Sequence, residues 1–233
     1  MTDHSRRNGP LASANGILRS VPVALLVAAA LVAVGDWVAV EQRLFRLEYV
    51  LKPLTLALLV AAAVTADLGD PKPWVVAALV LGLLGDVGLM LSDGSPDVPF
   101  LAGLGAFLLG HVCYAIAFLI AGVRGLELLA GVLIAAGIAA LTLPLVLRGA
   151  ARSAGRPFAA LVAGYAAFLA AMTTLAVGTA QLATAAGGAL FLVSDTLIAR
   201  QRFVARLPHG DLAVIVTYHL AQGLILVGLI AAA

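Results

Sequence analysis

Apolar runs of about 17 to 23 residues, separated by short polar breaks, cover most of the chain, and that is the length an α-helix needs to cross about 30 Å of hydrocarbon. Transmembrane β-strands would be about ten residues long and would alternate, which these runs do not. The runs fall at 21–40, 53–66, 74–91, 100–121, 126–147, 158–177, 181–199 and 211–231. They predict an all-α membrane protein, a bundle of eight transmembrane helices with both termini on one side. The 53–66 run is short for a crossing, so the second helix is read as starting nearer Tyr49, which draws Lys52 into the membrane edge. For a helix beginning at the run itself, Pro53 suits the first helical turn, where its missing N–H costs nothing.

The breaks have their own chemistry. Residues 1–20 form a polar arm with Arg6, Arg7 and Arg19. The run that follows continues to about Val40 without a small-x-small cleavage site, so it reads as the first helix of a single transmembrane domain, 21–233, rather than a signal peptide. Trp37 reads as an interface anchor and Asp36 as a headgroup-level carboxylate. The connection 92–99 is rich in turn residues, and Arg148, Arg152 and Arg156 make a solvated basic turn.

Composition narrows the class. Of 233 residues, 63% are hydrophobic and only 11% charged, which excludes an ordinary soluble domain, where about a quarter are charged. The formal charge of +2 comes from basic residues in the breaks, not from a patch interleaved with aromatics, so nucleic acid is not an expected partner. The single cysteine, Cys113, excludes an intrachain disulfide and reads as packing.

Against this background a few polar residues stand out inside the runs. Asp86 follows Leu81-Gly82-Leu83-Leu84-Gly85, and Asp195 follows Leu190-Phe191-Leu192-Val193-Ser194. A carboxylate at mid-membrane costs about 2.5 to 3.5 kcal/mol on insertion scales, so each needs a partner or a function. The two runs share the pattern of a small residue before Asp and lie four crossings apart, hence co-directional, which suggests two four-helix halves. Phe107, His111, Tyr114 and Phe118, spaced four, three and four, form one helical stripe. Tyr218 and Gln222 share a face of the last helix, and Tyr165 is a lone tyrosine in the sixth.

Sidedness follows from the basic residues. The odd-numbered breaks hold nine Lys and Arg, the other side five, so positive-inside bias places the odd breaks in the cytoplasm. Asp86 and Asp195 lie toward the ends of their helices, whereas Lys52, His111 and Tyr218 lie in the first halves of theirs. All five therefore fall in the odd-break half, as one polar cavity opening to the cytoplasmic side of the cell membrane would require.

In a water-poor cavity, desolvation and mutual repulsion leave one of two carboxylates protonated and the other ionised. Such a pair suits acid-catalysed hydrolysis through an oxocarbenium-like cation. A lysine alongside would hold phosphate, and tyrosine or histidine would orient water. The plainer reading is a Lys–Asp ion pair that only fixes helix packing.

Five blocks together resemble the YhhN, or lysoplasmalogenase-like, membrane proteins: Lys52-Pro53-Leu54-Thr55; Gly82-Leu83-Leu84-Gly85-Asp86-Val87-Gly88-Leu89-Met90; Phe107-Leu108-Leu109-Gly110-His111-Val112-Cys113-Tyr114; Gly187-Gly188-Ala189-Leu190-Phe191-Leu192-Val193-Ser194-Asp195-Thr196; and Tyr218-His219-Leu220-Ala221-Gln222. The resemblance implies an eight-helix hydrolase that cleaves the vinyl ether of lysoplasmalogens to a fatty aldehyde and a glycerophospho-headgroup. It implies that Asp86 and Asp195 are the acid/base pair and that the scheme needs no metal or other cofactor. Lys52 would contact phosphate, with His111, Tyr114, Tyr218 and Gln222 lining the pocket; Tyr165, open to either packing or site from its own helix, is counted with the substrate-binding residues. The expected partners are a lysophospholipid substrate and membrane lipids; oligomeric state is not specified. Two other readings of the same residues stay open: a zinc-dependent lipid hydrolase using His111, His219 and the aspartates, and a small-molecule or proton-coupled transporter using intramembrane carboxylates as relays.

Overall fold

The computed structural model describes residues 9–92 and 98–233, with side chains from Ser20 onward. Arg6 and Arg7, the side chain of Arg19 and most of the connection 92–99 lie outside the described residues. Among those described, all regular structure is helical: α1 (Gly9–Glu41), α2 (Phe45–Thr65), α3 (Lys72–Leu91), α4 (Val98–Ala121), α5 (Gly125–Gly178), α6 (Leu182–Phe203) and α7 (Gly210–Ala232). Each contains a stretch long and apolar enough to cross a membrane. The chain is a multi-pass membrane protein by that measure.

Three boundaries differ from the sequence expectation. Helix α1 begins at Gly9, inside the segment read as a polar arm. Helix α2 begins at Phe45, so Pro53 lies inside it rather than in its first turn. A proline there removes one backbone donor, and in a membrane helix neighbouring groups and Ser/Thr side chains re-satisfy the backbone. The Thr55 hydroxyl donates to the Leu51 carbonyl at 2.9 Å.

The third difference concerns the helix count. The sequence predicts separate helices at 126–147 and 158–177, giving eight; the structure carries both in the 54 residues of α5, so seven helices stand among the described residues. Helical backbone continues through Arg148 and Arg152, then breaks at Ala154 (φ −144°) and Gly155 (φ +83°, ψ 172°), with Pro157 following. A residue with a side chain rarely adopts the Gly155 conformation. The polar composition that reads as a turn is thus compressed into a two-residue break flanked by the exposed Arg152 and Arg156.

Sequential helices pack against one another, and α1 closes the arrangement against α7. At one end His209 Nδ1, before α7, meets Glu41 Oε1 of α1 at 2.8 Å. Small residues allow the closest approaches, as expected where lipid supplies no hydrophobic drive between helices. A Cβ at Gly88 of α3 would lie 2.7 Å from the Gly103 Cα of α4. Large apolar side chains such as Leu31, Leu126, Leu141 and Leu182 face outward, while Tyr114, Phe118, Phe191 and Tyr218 fill the centre.

Candidate active site

Asp86 stands one turn from the end of α3 and is 2% exposed. Its Oδ1 is 3.4 Å from Lys52 Nζ of α2, an ion pair inside the helix bundle. Its Oδ2 has no hydrogen-bond partner. Tyr218 of α7 is close enough to interact with the same carboxylate. That phenol ends a polar chain across three helices. Tyr114 OH donates to Gln222 Oε1 at 2.5 Å, and Gln222 Nε2 donates to Tyr218 OH at 3.3 Å, which leaves the Tyr218 proton for Asp86.

The chain before Asp86 makes room for these partners. A Cβ at Gly82 would come 2.9 Å from Gln222 Nε2 and 3.1 Å from Tyr218 OH, and one at Gly85 would come 2.7 Å from the Phe107 ring. The small-residue spacing before Asp86 is therefore the imprint of side chains laid across α3.

Asp195 of α6 has different company. Its Oδ2 accepts a hydrogen bond from Tyr165 OH of α5 at 2.6 Å. His111 Nε2 is 3.8 Å from the same oxygen, too far for a hydrogen bond, and neither ring nitrogen of His111 has a hydrogen-bond partner. The His111 ring packs edge-on against Phe191, 4.8 Å between centroids, and Tyr165, 5.5 Å. Phe191 packs in turn on Tyr218 at 5.5 Å, and Phe107 on Tyr218 at 5.8 Å. One aromatic cluster thus links the two aspartates, which lie within Coulombic reach of each other.

A cavity of about 120 Å³ runs between α3, α4, α5 and α6. Its walls are mostly hydrocarbon, as in small-molecule sites. Of the residues singled out in the sequence, Asp195 and Tyr165 belong to its wall. Asp86, Lys52, His111, Tyr114, Tyr218 and Gln222 do not; Phe107 lines the cavity and also packs beside Asp86 and Tyr218.

Two residues assigned to the interface by the sequence have neighbours inside the bundle. Asp36 is fully buried with both carboxylate oxygens unpartnered, within Coulombic reach of Lys52 and Asp86. Trp37 is half-buried, and its indole N–H donates to His219 Nδ1 at 3.2 Å. The reason is that α1 packs between α2 and α7. A signal was present: Ala29, Ala33 and Asp36, at spacings of four and three, share a face of small residues that is buried. His219 therefore sits with Trp37, apart from His111 and Asp195. Among the described residues no group of three or more His, Cys, Asp or Glu comes together as an ion would require, so the zinc set considered above is not assembled.

The YhhN family model matches residues 47–229, a stretch that holds every helix of the cavity and both Asp86 and Asp195. The chain belongs to the YhhN family. Comparison with curated proteins and with solved structures finds no match. Asp36 and Trp37 fall outside the matched residues, whereas Lys52, Asp86, His111, Tyr114, Tyr165, Asp195, Tyr218 and Gln222 fall inside them.

Proposed function

We propose that this YhhN protein hydrolyses the vinyl ether of lysoplasmalogens, releasing a fatty aldehyde and a glycerophospho-headgroup. The observation that carries the reading is an aspartate, Asp195, set with a tyrosine in the wall of a mostly hydrocarbon cavity, with a second aspartate already paired to lysine nearby. Asp86, 3.4 Å from the Lys52 ammonium, is assigned the ionised role. Asp195 has a phenol and a histidine as neighbours, and it takes the proton. Because Oδ2 accepts from Tyr165, that proton rests on Oδ1.

In the first step Asp195 donates its proton to the vinyl β-carbon, and the ether oxygen supplies the electron pair that makes an oxocarbenium ion. The carboxylate left on Asp195 and the fixed negative charge of Asp86 stabilise that cation. Water then adds to the α-carbon while Asp195 takes back a proton, and the hemiacetal collapses to aldehyde and alcohol. Tyr165 holds Asp195 in position, and the hydrocarbon walls limit water to what the reaction consumes.

The two legs of α5 are read as separate crossings, which restores eight crossings and keeps both termini on one side. The arginine-rich ends at 148–156 and 200–206 face the cytoplasm by positive-inside bias in the cell membrane. Reporter fusions after Gly155 and Ala233 test this: opposite sidedness is expected, and the same sidedness would refute eight crossings.

The catalytic test uses purified protein and a lysoplasmalogen beside its saturated alkyl-ether analogue. Aldehyde is expected from the vinyl ether alone. In D₂O, aldehyde trapped as it forms should carry one deuterium on the carbon next to the carbonyl. Absence of aldehyde, an undeuterated product, or full activity in Asp195→Asn refutes the mechanism. Uptake of a solute into proteoliposomes without any product would favour the transporter.

A further inference from the structure

We propose that Arg202 is the phosphate-binding residue of the cavity, so that the lipid enters with its phosphate at α6's C-terminal end and its chain directed inward. The inference rests on the lipid-hydrolase reading above and names the part of the lipid that the pocket selects. Among the described residues, Arg202 and Asp195 are the charged members of the cavity wall. They are seven residues apart on α6, which is two turns, about 10 Å of rise and about 20° from the same face. That separation is of the order of the stretch between vinyl ether and phosphorus in a lysophospholipid.

The aromatic surroundings suit the guanidinium to this task. Its carbon lies 3.8 Å from the Phe100 ring centroid and 5.9 Å from that of Phe203, and Phe203 packs against Phe158 at 5.9 Å between centroids. All three rings line the cavity. Stacking on a ring engages the face of a guanidinium and directs its N–H edges sideways, the geometry for a bidentate contact with phosphate oxygens. Arg202 is also half-buried, one residue from the end of α6, where a headgroup can remain near the membrane boundary.

The order along the cavity matches the order along the lipid. Arg202 lies nearest the helix end, Asp195 two turns deeper, and Leu192, Leu169 and Ala135 beyond. Phosphate, vinyl ether and hydrocarbon chain occur in that order in a lysoplasmalogen. Lys52, the cation that the sequence first offers for the phosphate, is not part of the wall.

The test reads binding, so it does not depend on turnover. Wild type, Arg202→Gln and Arg202→Lys are purified in detergent, and the affinities of an uncleavable saturated-ether lysophospholipid and of the matching alkylglycerol, which has no phosphate, are measured by displacement of a fluorescent lysolipid. Arg202→Gln should weaken the phospholipid by about ten- to a hundredfold and leave the alkylglycerol within about twofold, the loss expected for a charge-assisted contact. Arg202→Lys, which keeps the charge and loses the fork, should fall between. Equal losses for both lipids, no loss for either, or no lipid binding by wild type would overturn the proposal. If Arg202→Gln does not fold, Arg202→Lys decides alone: full retention of the phosphate preference overturns the bidentate seat. Vinyl-ether hydrolysis could fail while this binding pattern holds, which separates the inference from the reading it rests on.

Discussion

Lys52 lies between two buried carboxylates, with Asp86 at 3.4 Å and Asp36 within Coulombic reach, so removing its charge strands both. The side chain of Lys52 is itself 16% exposed, and Asp86 is 2% exposed. Deleting one member of such a pair leaves an uncompensated buried charge, typically costing about 3–5 kcal/mol in soluble proteins. Lys52→Met should accordingly lower the melting temperature strongly, and adding Asp86→Asn should restore most of the loss; a double variant no more stable than the single one would refute the pairing. Tyr165→Phe removes the hydrogen bond to Asp195 while keeping the ring against His111. It should lower kcat for vinyl-ether hydrolysis by about tenfold, whereas Asp195→Asn should cost at least about a hundredfold, the usual size of a general-acid contribution. Single-turnover rates on one lysoplasmalogen would check both. The prominence of Asp86 and Asp195 is legible in the sequence, because a carboxylate in an apolar run is rare and expensive. The burial of Asp36 is not, because a carboxylate five residues from a helix end reads equally well as interfacial until the neighbours of α1 are known.

Helix α3 depends on side chains it does not have. A Cβ at Gly88 would fall 2.7 Å from the backbone of Gly103, where nothing flexible can yield, whereas one at Gly105 of α4 would meet nothing within 4 Å. Gly88→Ala should therefore push α3 and α4 apart and destabilise the protein by about 1–3 kcal/mol, the usual cost of overpacking. Gly105→Ala should be neutral or stabilising by up to about 1 kcal/mol through helix propensity. Thermal unfolding of the two variants side by side checks the contrast; equal effects would mean that the close approach does not govern packing. The break in α5 follows the same logic. The polar residues around 148–156 mark a change of direction, but where the backbone leaves the helix depends on Gly155, with its φ of +83°. Apolar periodicity alone cannot separate a broad polar loop from two non-helical residues between exposed arginine-bearing turns.

At the scale of the whole molecule, a lipid seated as proposed would meet a set length and direction in the cavity. Its wall extends from Arg202 and Phe203 at the end of α6 past Asp195 to Leu169 and Ala135. A bulky side chain at the inner end should shorten the chain accepted without touching the groups around Asp195. Ala135→Phe is expected to lower kcat/KM for long-chain lysoplasmalogens by about tenfold, the order of a few lost methylene contacts, and to spare short-chain ones. A chain-length series on the variant checks this, and uniform loss across the series would point to misfolding instead.

By itself the sequence determined the membrane as solvent, the helical class, the family and most of the polar residues, because each follows from local chemistry. Apolar length sets the crossings, and burying a charge in hydrocarbon is costly wherever it happens. Only the tertiary structure decided which polar residues meet. Lys52 went to Asp86, Tyr165 to Asp195 and Trp37 to His219, and one aspartate rather than two became part of the cavity wall. Those pairings join positions as far as 182 residues apart. They are fixed by which helices pack and at what rotation, through small-residue contacts that no single helix contains.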